Sequence, residues 1–388
     1  MKRLIVFFSF ITITTLISAM GCLLAIKVQS DISNLTLSNS PVFKQISFAD
    51  RQLARMTLRQ KVSNLLILHT SGTNVADIQK YLQTYQPSGL IFMGDNIPST
   101  LDDLALITKK LQSSPALPYL FAIDEEGGVV SRLSQDILPA AADFKSQPPF
   151  ATESAFRKRC EMLQQVGMNL NFGIVADVTN DPASFIFTRV FGGDPLEAGH
   201  RVAAAVDGSI GLTLSTLKHY PGHGETNADS HNSIPVTNVS YESWQQRDEP
   251  SFVSGVKANA DVVMFGHLIY SSVDSLPASL STKWHEILRQ QDGFKGVTIT
   301  DDMIMLQQSG DPDYADPISN SIKAINAGNT MLLFVLDHGG DSIFDPSILI
   351  EGIVNAVKNG KVNQKIIDDN VRQILTLRHN LPVILAKK

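Results

Sequence analysis

The chain has 388 residues, of which 43% are hydrophobic and 18% charged, and its formal net charge is -6. That composition describes a globular protein able to bury a large core and excludes a disordered or fibrous one. The acidic balance, with no run of basic residues in the body, argues against binding a phosphate backbone, so nucleic acid is not expected as a partner.

At the N-terminus, Lys2 and Arg3 precede an uncharged, largely apolar stretch from Leu4 to Ile26 that Lys27 closes. A spanning helix needs about 20 apolar residues, whereas a cleaved signal peptide carries an apolar region of only ~7–15. Residues 1–27 are therefore expected to form an uncleaved apolar anchor helix, which makes the membrane a partner. Ala19-Met20-Gly21-Cys22 is similar to a lipoprotein cleavage box, but Leu23-Leu24-Ala25-Ile26 carry the apolar run past the cysteine. A lipoprotein is the second reading and a cleaved signal peptide the third. With Lys2 and Arg3 held inside, everything after Ile26 lies outside the cytoplasmic membrane, facing the periplasm or cell exterior. Cys22 and Cys160 offer neither a disulfide framework nor metal-type spacing. Residues 28–45, rich in Ser and Asn without a sustained period, suit a linker.

From residue 46 to 388 the pattern changes. Short apolar and β-branched runs recur with helical segments between them, at Leu65–Leu68, Gly89–Met93, Tyr119–Ile123, Leu170–Val178, Thr216–Tyr220, Asp261–Phe265, Gly296–Thr300 and Thr330–Val335. Continuous apolar runs separated by helices indicate parallel strands covered on both faces, and eight of them predict a single (β/α)8 TIM-type barrel, with an open doubly wound sheet as the alternative. Gln364–Leu377 reads as a closing helix, and no second folded domain is visible.

Polar residues gather at the C-terminal ends of these runs: Asp124-Glu125-Glu126, Asp177, Lys218-His219, His267 and Asp301-Asp302. A barrel carries its active site on that face. The stretch from Lys218 to His231 contains three histidines, two glycines and a proline. Gly222 and Gly224 permit backbone angles closed to other residues, which predicts a loop able to swing. In an extended Asp229-Ser230-His231, side chains two apart point the same way, so the carboxylate can orient the imidazole for proton transfer near neutral pH. A metal site and a purely structural polar loop are the alternatives, and the histidine spacing matches none of the standard zinc patterns. The adjacent Asp301 and Asp302 end an apolar strand, with one expected to face the barrel mouth as nucleophile, stabiliser or ligand.

These segments resemble glycoside hydrolase family 3, specifically its bacterial β-N-acetylglucosaminidase (β-hexosaminidase) branch, from Met56 to Arg378. The resemblance rests on Met56-Thr57-Leu58, on Asp124-Glu125-Glu126-Gly127-Gly128 with Arg132-Leu133, and on Gly167-Met168-Asn169-Leu170-Asn171 running to Ala176-Asp177-Val178. It continues through Arg189-Val190-Phe191-Gly192, the histidine loop, Pro277-Ala278-Ser279-Leu280-Ser281 and Thr300-Asp301-Asp302-Met303. It implies a retaining exo-glycosidase that releases terminal β-linked N-acetylglucosamine from peptidoglycan or chitin fragments. Asp301 would be its nucleophile, and His231 with Asp229 its acid/base pair. It also implies that Asp124, Arg132, Arg189, Lys218 and His219 bind the sugar hydroxyls, and that no cofactor or metal is needed. The substrate is then a β-GlcNAc oligosaccharide, and a monomer is expected.

The chain departs from the family pattern at Glu125, Val129, Tyr220 and Glu225, where Gln, Arg, Phe and Asp are common. The first two alter charge beside the sugar site and leave the fine specificity open. A β-glucosidase-type hydrolase, a phosphorolytic variant and a non-catalytic membrane-tethered sugar-binding protein are the rival readings.

Overall fold

The computed structural model describes residues 47–113, 117–335 and 345–384. The expected anchor and linker, at 1–27 and 28–45, lie outside the described residues. Among the described residues no helix is long and apolar enough to cross a membrane.

Eight parallel strands close into a barrel in sequence order. They are β1 Leu66–Leu68, β2 Gly89–Phe92, β3 Leu120–Ile123, β4 Leu170–Val175, β5 Leu214–Tyr220, β6 Val262–Phe265, β7 Val297–Asp302 and β8 Met331–Phe334. Nearly every strand residue is buried because helices cover the outside and side chains fill the inside. β1 pairs with both β2 and β8, which seals the barrel.

The strand limits deviate from the apolar runs for polar reasons. β5 begins two residues earlier, since Ser215 hides its backbone N–H and hydroxyl against Asp261 Oδ2 at 2.9 and 3.1 Å. The closing helix runs on through Ile384. Its Arg378 is buried, donating to Asn64 Oδ1 at 2.9 Å and to the Pro118 carbonyl at 2.8 Å.

Helix starts follow a repeated local signal. Asp194-Pro195, Asp316-Pro317 and Asp345-Pro346 open the helices Pro195–Ser209, Pro317–Ala327 and Pro346–Lys358. In each, the aspartate accepts a free N–H of the first turn while proline fills the position that needs no donor.

Two short strands outside the barrel, Val236–Thr237 and Ile269–Tyr270, pair in parallel and tie the segment after β5 to the segment after β6. The histidine loop is thereby anchored at its exit as well as at its entry on β5.

Candidate active site

The carboxyl ends of the strands surround a cavity of about 370 Å³. Asp124, Arg132, Arg189, Lys218, His219, His231 and Asp301 all line it, so the structure brings together every site residue expected from the sequence except Asp229, which stands behind His231.

On one wall stands Asp301, in the next-to-last position of β7. Burial alone would raise its pKa, but His219, then His267, the Asp302 amide and Lys218 outweigh burial and hold the carboxyl below its ordinary range. Its neighbour turns away. Asp302 accepts from the backbone N–H of Ile304 at 3.1 Å and Val335 at 3.0 Å, and burial, opposed by those bonds and reinforced by Asp301, pushes its pKa up to about 7. Two adjacent carboxyls thus have their pKa values shifted in opposite directions.

Another part of the wall is the histidine loop, whose two halves differ. In the first half, Asp177 accepts from the backbone N–H of both His219 and His223 and takes His219 Nδ1 at 2.7 Å. That half is pinned rather than free to swing. Gly222 has a positive φ of +138°, but Gly224 does not, and a Cβ there would lie 1.8 Å from the Val178 carbonyl oxygen. Close approach, rather than an unusual backbone angle, explains Gly224. In the second half, His231 Nδ1 meets Asp229 Oδ1 at 2.7 Å, while Asp229 also accepts from the His231 amide and from Asn232 Nδ2. The His231 side chain is 58% exposed, standing at the cavity rim.

The floor is a chain of charges. Asp124 accepts from Lys218 Nζ at 3.0 Å and from Arg132 Nη2 at 3.3 Å. Burial opposes its ionisation, but Lys218 and then Arg132 bring its pKa down to about 2. Lys218 Nζ also reaches Glu126 Oε1 at 2.6 Å. Glu126 takes a two-pronged contact from Arg189, Nε to Oε2 at 2.9 Å and Nη2 to Oε1 at 2.7 Å. Arg189 Nη2 lies 3.3 Å from His219 Nε2. Buried cations and carboxylates in such a network hold one another in their charged forms.

Several participants carried little sequence signal. Glu126 is buried at the centre of the floor, with only its place in the acidic triplet to mark it. Phe185 comes from an irregular stretch, and its ring sits 5.7 Å from both the His223 and His231 rings. His223 is buried on the cavity wall with neither ring nitrogen partnered among the described residues, and burial followed by the neighbouring His219 lowers its pKa. Glu125 does not line the cavity. Its carboxylate accepts from the Arg132 N–H at 2.9 Å, the Leu133 N–H at 3.0 Å and the Ser131 hydroxyl, which clamps the loop bearing Arg132. Among the described residues, no group of three or more His, Cys, Asp or Glu side chains is placed to hold a metal ion.

A family model described as the glycosyl hydrolase family 3 N terminal domain matches residues 57–377. The beta-hexosaminidase of Pseudomonas aeruginosa (strain LESB58) is 33% identical over 282 residues, covering 70% of this chain and 82% of that one. Beta-hexosaminidase A of Pseudoalteromonas piscicida is 26% identical over 334 residues, 79% of this chain and 55% of that one. A solved structure of a glycoside hydrolase family 3 beta-N-acetylglucosaminidase from Paenibacillus sp. str. FPU-7 matches with a TM-score of 0.77 at 26% identity, over 84% of this chain and 63% of that one. The chain therefore spans just over half of the Pseudoalteromonas protein and somewhat less than two thirds of the Paenibacillus one.

Proposed function

This chain belongs to glycosyl hydrolase family 3, and on that premise we propose that it is a retaining exo-glycosidase. It removes terminal, non-reducing β-linked N-acetylglucosamine from peptidoglycan-derived or chitin-derived fragments, without a cofactor. The observation that carries this reading is the pairing of a carboxylate held ionised on a rigid strand end, Asp301, with a carboxylate-oriented imidazole, His231, lining the same cavity.

The chemistry follows from those two groups. Asp301 attacks the anomeric carbon as His231, its Nδ1 engaged by Asp229, gives the proton on Nε2 to the departing glycosidic oxygen. A glycosyl ester forms and the aglycone leaves as an alcohol. Water then gives a proton back to Nε2 and attacks the same carbon, the ester bond breaks, and the sugar departs with its original anomeric configuration. Asp124 as acceptor, with Arg132, Arg189 and Lys218 as donors and His219 beside them, suits a ring of neutral hydroxyls. The similarity to proteins named beta-hexosaminidase supports the acetamido sugar over glucose.

Hydrolysis of a chromogenic β-GlcNAc substrate, with NMR detection of the β-anomer as first product, tests the reading. No turnover on GlcNAc substrates, or turnover only on β-glucosides, would overturn it. Phosphate dependence of the rate and appearance of a sugar phosphate would replace hydrolysis by phosphorolysis. Within the same proposal, residues 1–27 anchor the barrel to the outer side of the cytoplasmic membrane through the linker 28–45. Recovery of a mature N-terminus near residue 30 would refute the uncleaved anchor.

A further inference from the structure

The cations at the floor of the cavity share one counter-ion whose own carboxylate is nearly sealed from solvent. Glu126 is 3% exposed, and its three side-chain contacts go to two cations. Oε2 takes Arg189 Nε, while Oε1 takes both Arg189 Nη2 and Lys218 Nζ. We propose that Glu126 is the positioning residue of sugar recognition, aligning Lys218 and Arg189 so that their remaining N–H groups face the hydroxyls of the substrate. This rests on the glycosidase reading and deepens it.

An ammonium has three N–H bonds and a guanidinium five. Lys218 commits one to Asp124 and one to Glu126, which leaves one for a ligand. Arg189 commits its Nε and an Nη2 hydrogen along one edge to Glu126, which fixes the guanidinium plane and turns the other edge outward. Without this carboxylate Lys218 would retain Asp124, but Arg189 would keep no carboxylate contact of its own. An uncompensated buried guanidinium reorients toward any other acceptor, and the nearest edge of the network is His219, at 3.3 Å. The sequence Asp124-Glu125-Glu126 thereby divides into three tasks after β3: Asp124 faces the sugar, Glu125 clamps the Arg132 loop, and Glu126 holds the other two cations. Glu126 touches neither Asp301 nor His231, so its loss should weaken sugar binding more than the bond-breaking step.

The test uses Glu126→Gln, which keeps shape but places an amide donor against a cation, and Glu126→Asp, which keeps the charge. For wild type and variants, KM and kcat are measured on p-nitrophenyl β-GlcNAc, and the Kd of free N-acetylglucosamine by calorimetry, with the melting temperature recorded in parallel. Glu126→Gln should raise KM and Kd together by about tenfold or more, the scale of one lost charge-assisted hydrogen bond, with a smaller fall in kcat. Glu126→Asp should recover part of that loss. In an Arg189→Met background the effect of Glu126→Gln should shrink, because part of the interaction through which it acts is already gone. KM and Kd within twofold of wild type in folded Glu126→Gln, or multiplicative effects in the double variant, overturn the proposal. Should Glu126→Gln not fold, Glu126→Asp decides alone, and an unchanged Kd there counts against it. A wild-type protein that binds N-acetylglucosamine but does not cleave the chromogenic substrate would defeat the glycosidase reading while leaving this one open to the Kd comparison. Failure to bind the sugar together with no turnover overturns both.

Discussion

His231 Nδ1 lies 2.7 Å from Asp229 Oδ1, and the same carboxylate oxygen accepts the backbone N–H of His231 at 2.9 Å. One oxygen therefore fixes both the ring and the backbone of the residue proposed to carry the proton, and it leaves Nε2 for the substrate.

From that relationship, His231→Ala should depress kcat/KM strongly on substrates with poor leaving groups, whose departing oxygen needs a proton in the transition state. Activated aryl substrates should suffer far less in the first step. Asp229→Ala should show the same pattern more mildly, and His223→Ala should show no dependence on the leaving group. A panel of substituted phenyl β-GlcNAc substrates checks this, and equal loss across the panel in His231→Ala would remove the proton-transfer role. Incubation with a chelator should leave the wild-type rate unchanged, and inactivation with rescue by zinc would revive the metal reading of the loop.

Asp301→Ala should lower kcat by about a thousandfold or more while the protein stays folded, since the covalent route loses its nucleophile. Burial tends to raise the Asp301 pKa, but His219 and His267 bring it below the ordinary value. The carboxylate should thus stay ionised to lower pH than a free aspartate, and any acid limb of kcat/KM that reports it should lie below the ordinary aspartate value. Near-normal turnover by folded Asp301→Ala would sink the assignment.

Glu125 carries a pH signature. Burial, opposed by its three hydrogen-bond donors and reinforced by Asp136, raises its pKa from the ordinary 4.5 to about 7. A carboxyl whose folded pKa is raised lends stability that is complete below the unfolded value and is lost as pH rises through the folded one. Wild-type stability should therefore decline between about pH 4.5 and about pH 7 relative to Glu125→Gln, whose carbonyl can still take the Arg132 and Leu133 N–H groups. Thermal melts at about pH 5 and about pH 8 should coincide at the lower value and favour the variant at the higher. Parallel melting curves for the two proteins at all pH values would show that Glu125 does not titrate in this way.

Gly224→Ala should displace the histidine loop, because its Cβ would fall 1.8 Å from the Val178 carbonyl oxygen, which is backbone and cannot rotate away. Overpacking of this kind costs about 1–3 kcal/mol. Activity should fall on good and poor leaving groups alike, with a lowered melting temperature. Unaltered melting and turnover would mean that the loop tolerates the methyl by moving elsewhere.

The fold was legible in the sequence because a covered parallel strand must be apolar along its whole length, and eight such runs with helices between them have few other closed arrangements. Asp301, the Asp229-Ser230-His231 element and the charged residues at the strand ends could be read for a related reason. Their chemistry is local, and a barrel concentrates function on one face. What only the tertiary structure decided is how the charges are shared. Glu125 and Glu126 are adjacent and alike in sequence, yet one takes the Ser131 hydroxyl and the backbone amides of Arg132 and Leu133 and the other bridges Arg189 and Lys218, 63 residues and more away along the chain. Backbone amides of the next helix and of the segment after β8 turn Asp302 away from Asp301, and burial, which those bonds oppose, raises its pKa while that of Asp301 is lowered. Phe185 is placed by its contacts with the His223 and His231 rings, which are distant in the chain. Apolar periodicity is written in near neighbours, whereas the partner of a buried charge is set by which distant strand ends the closed barrel brings within 3 Å.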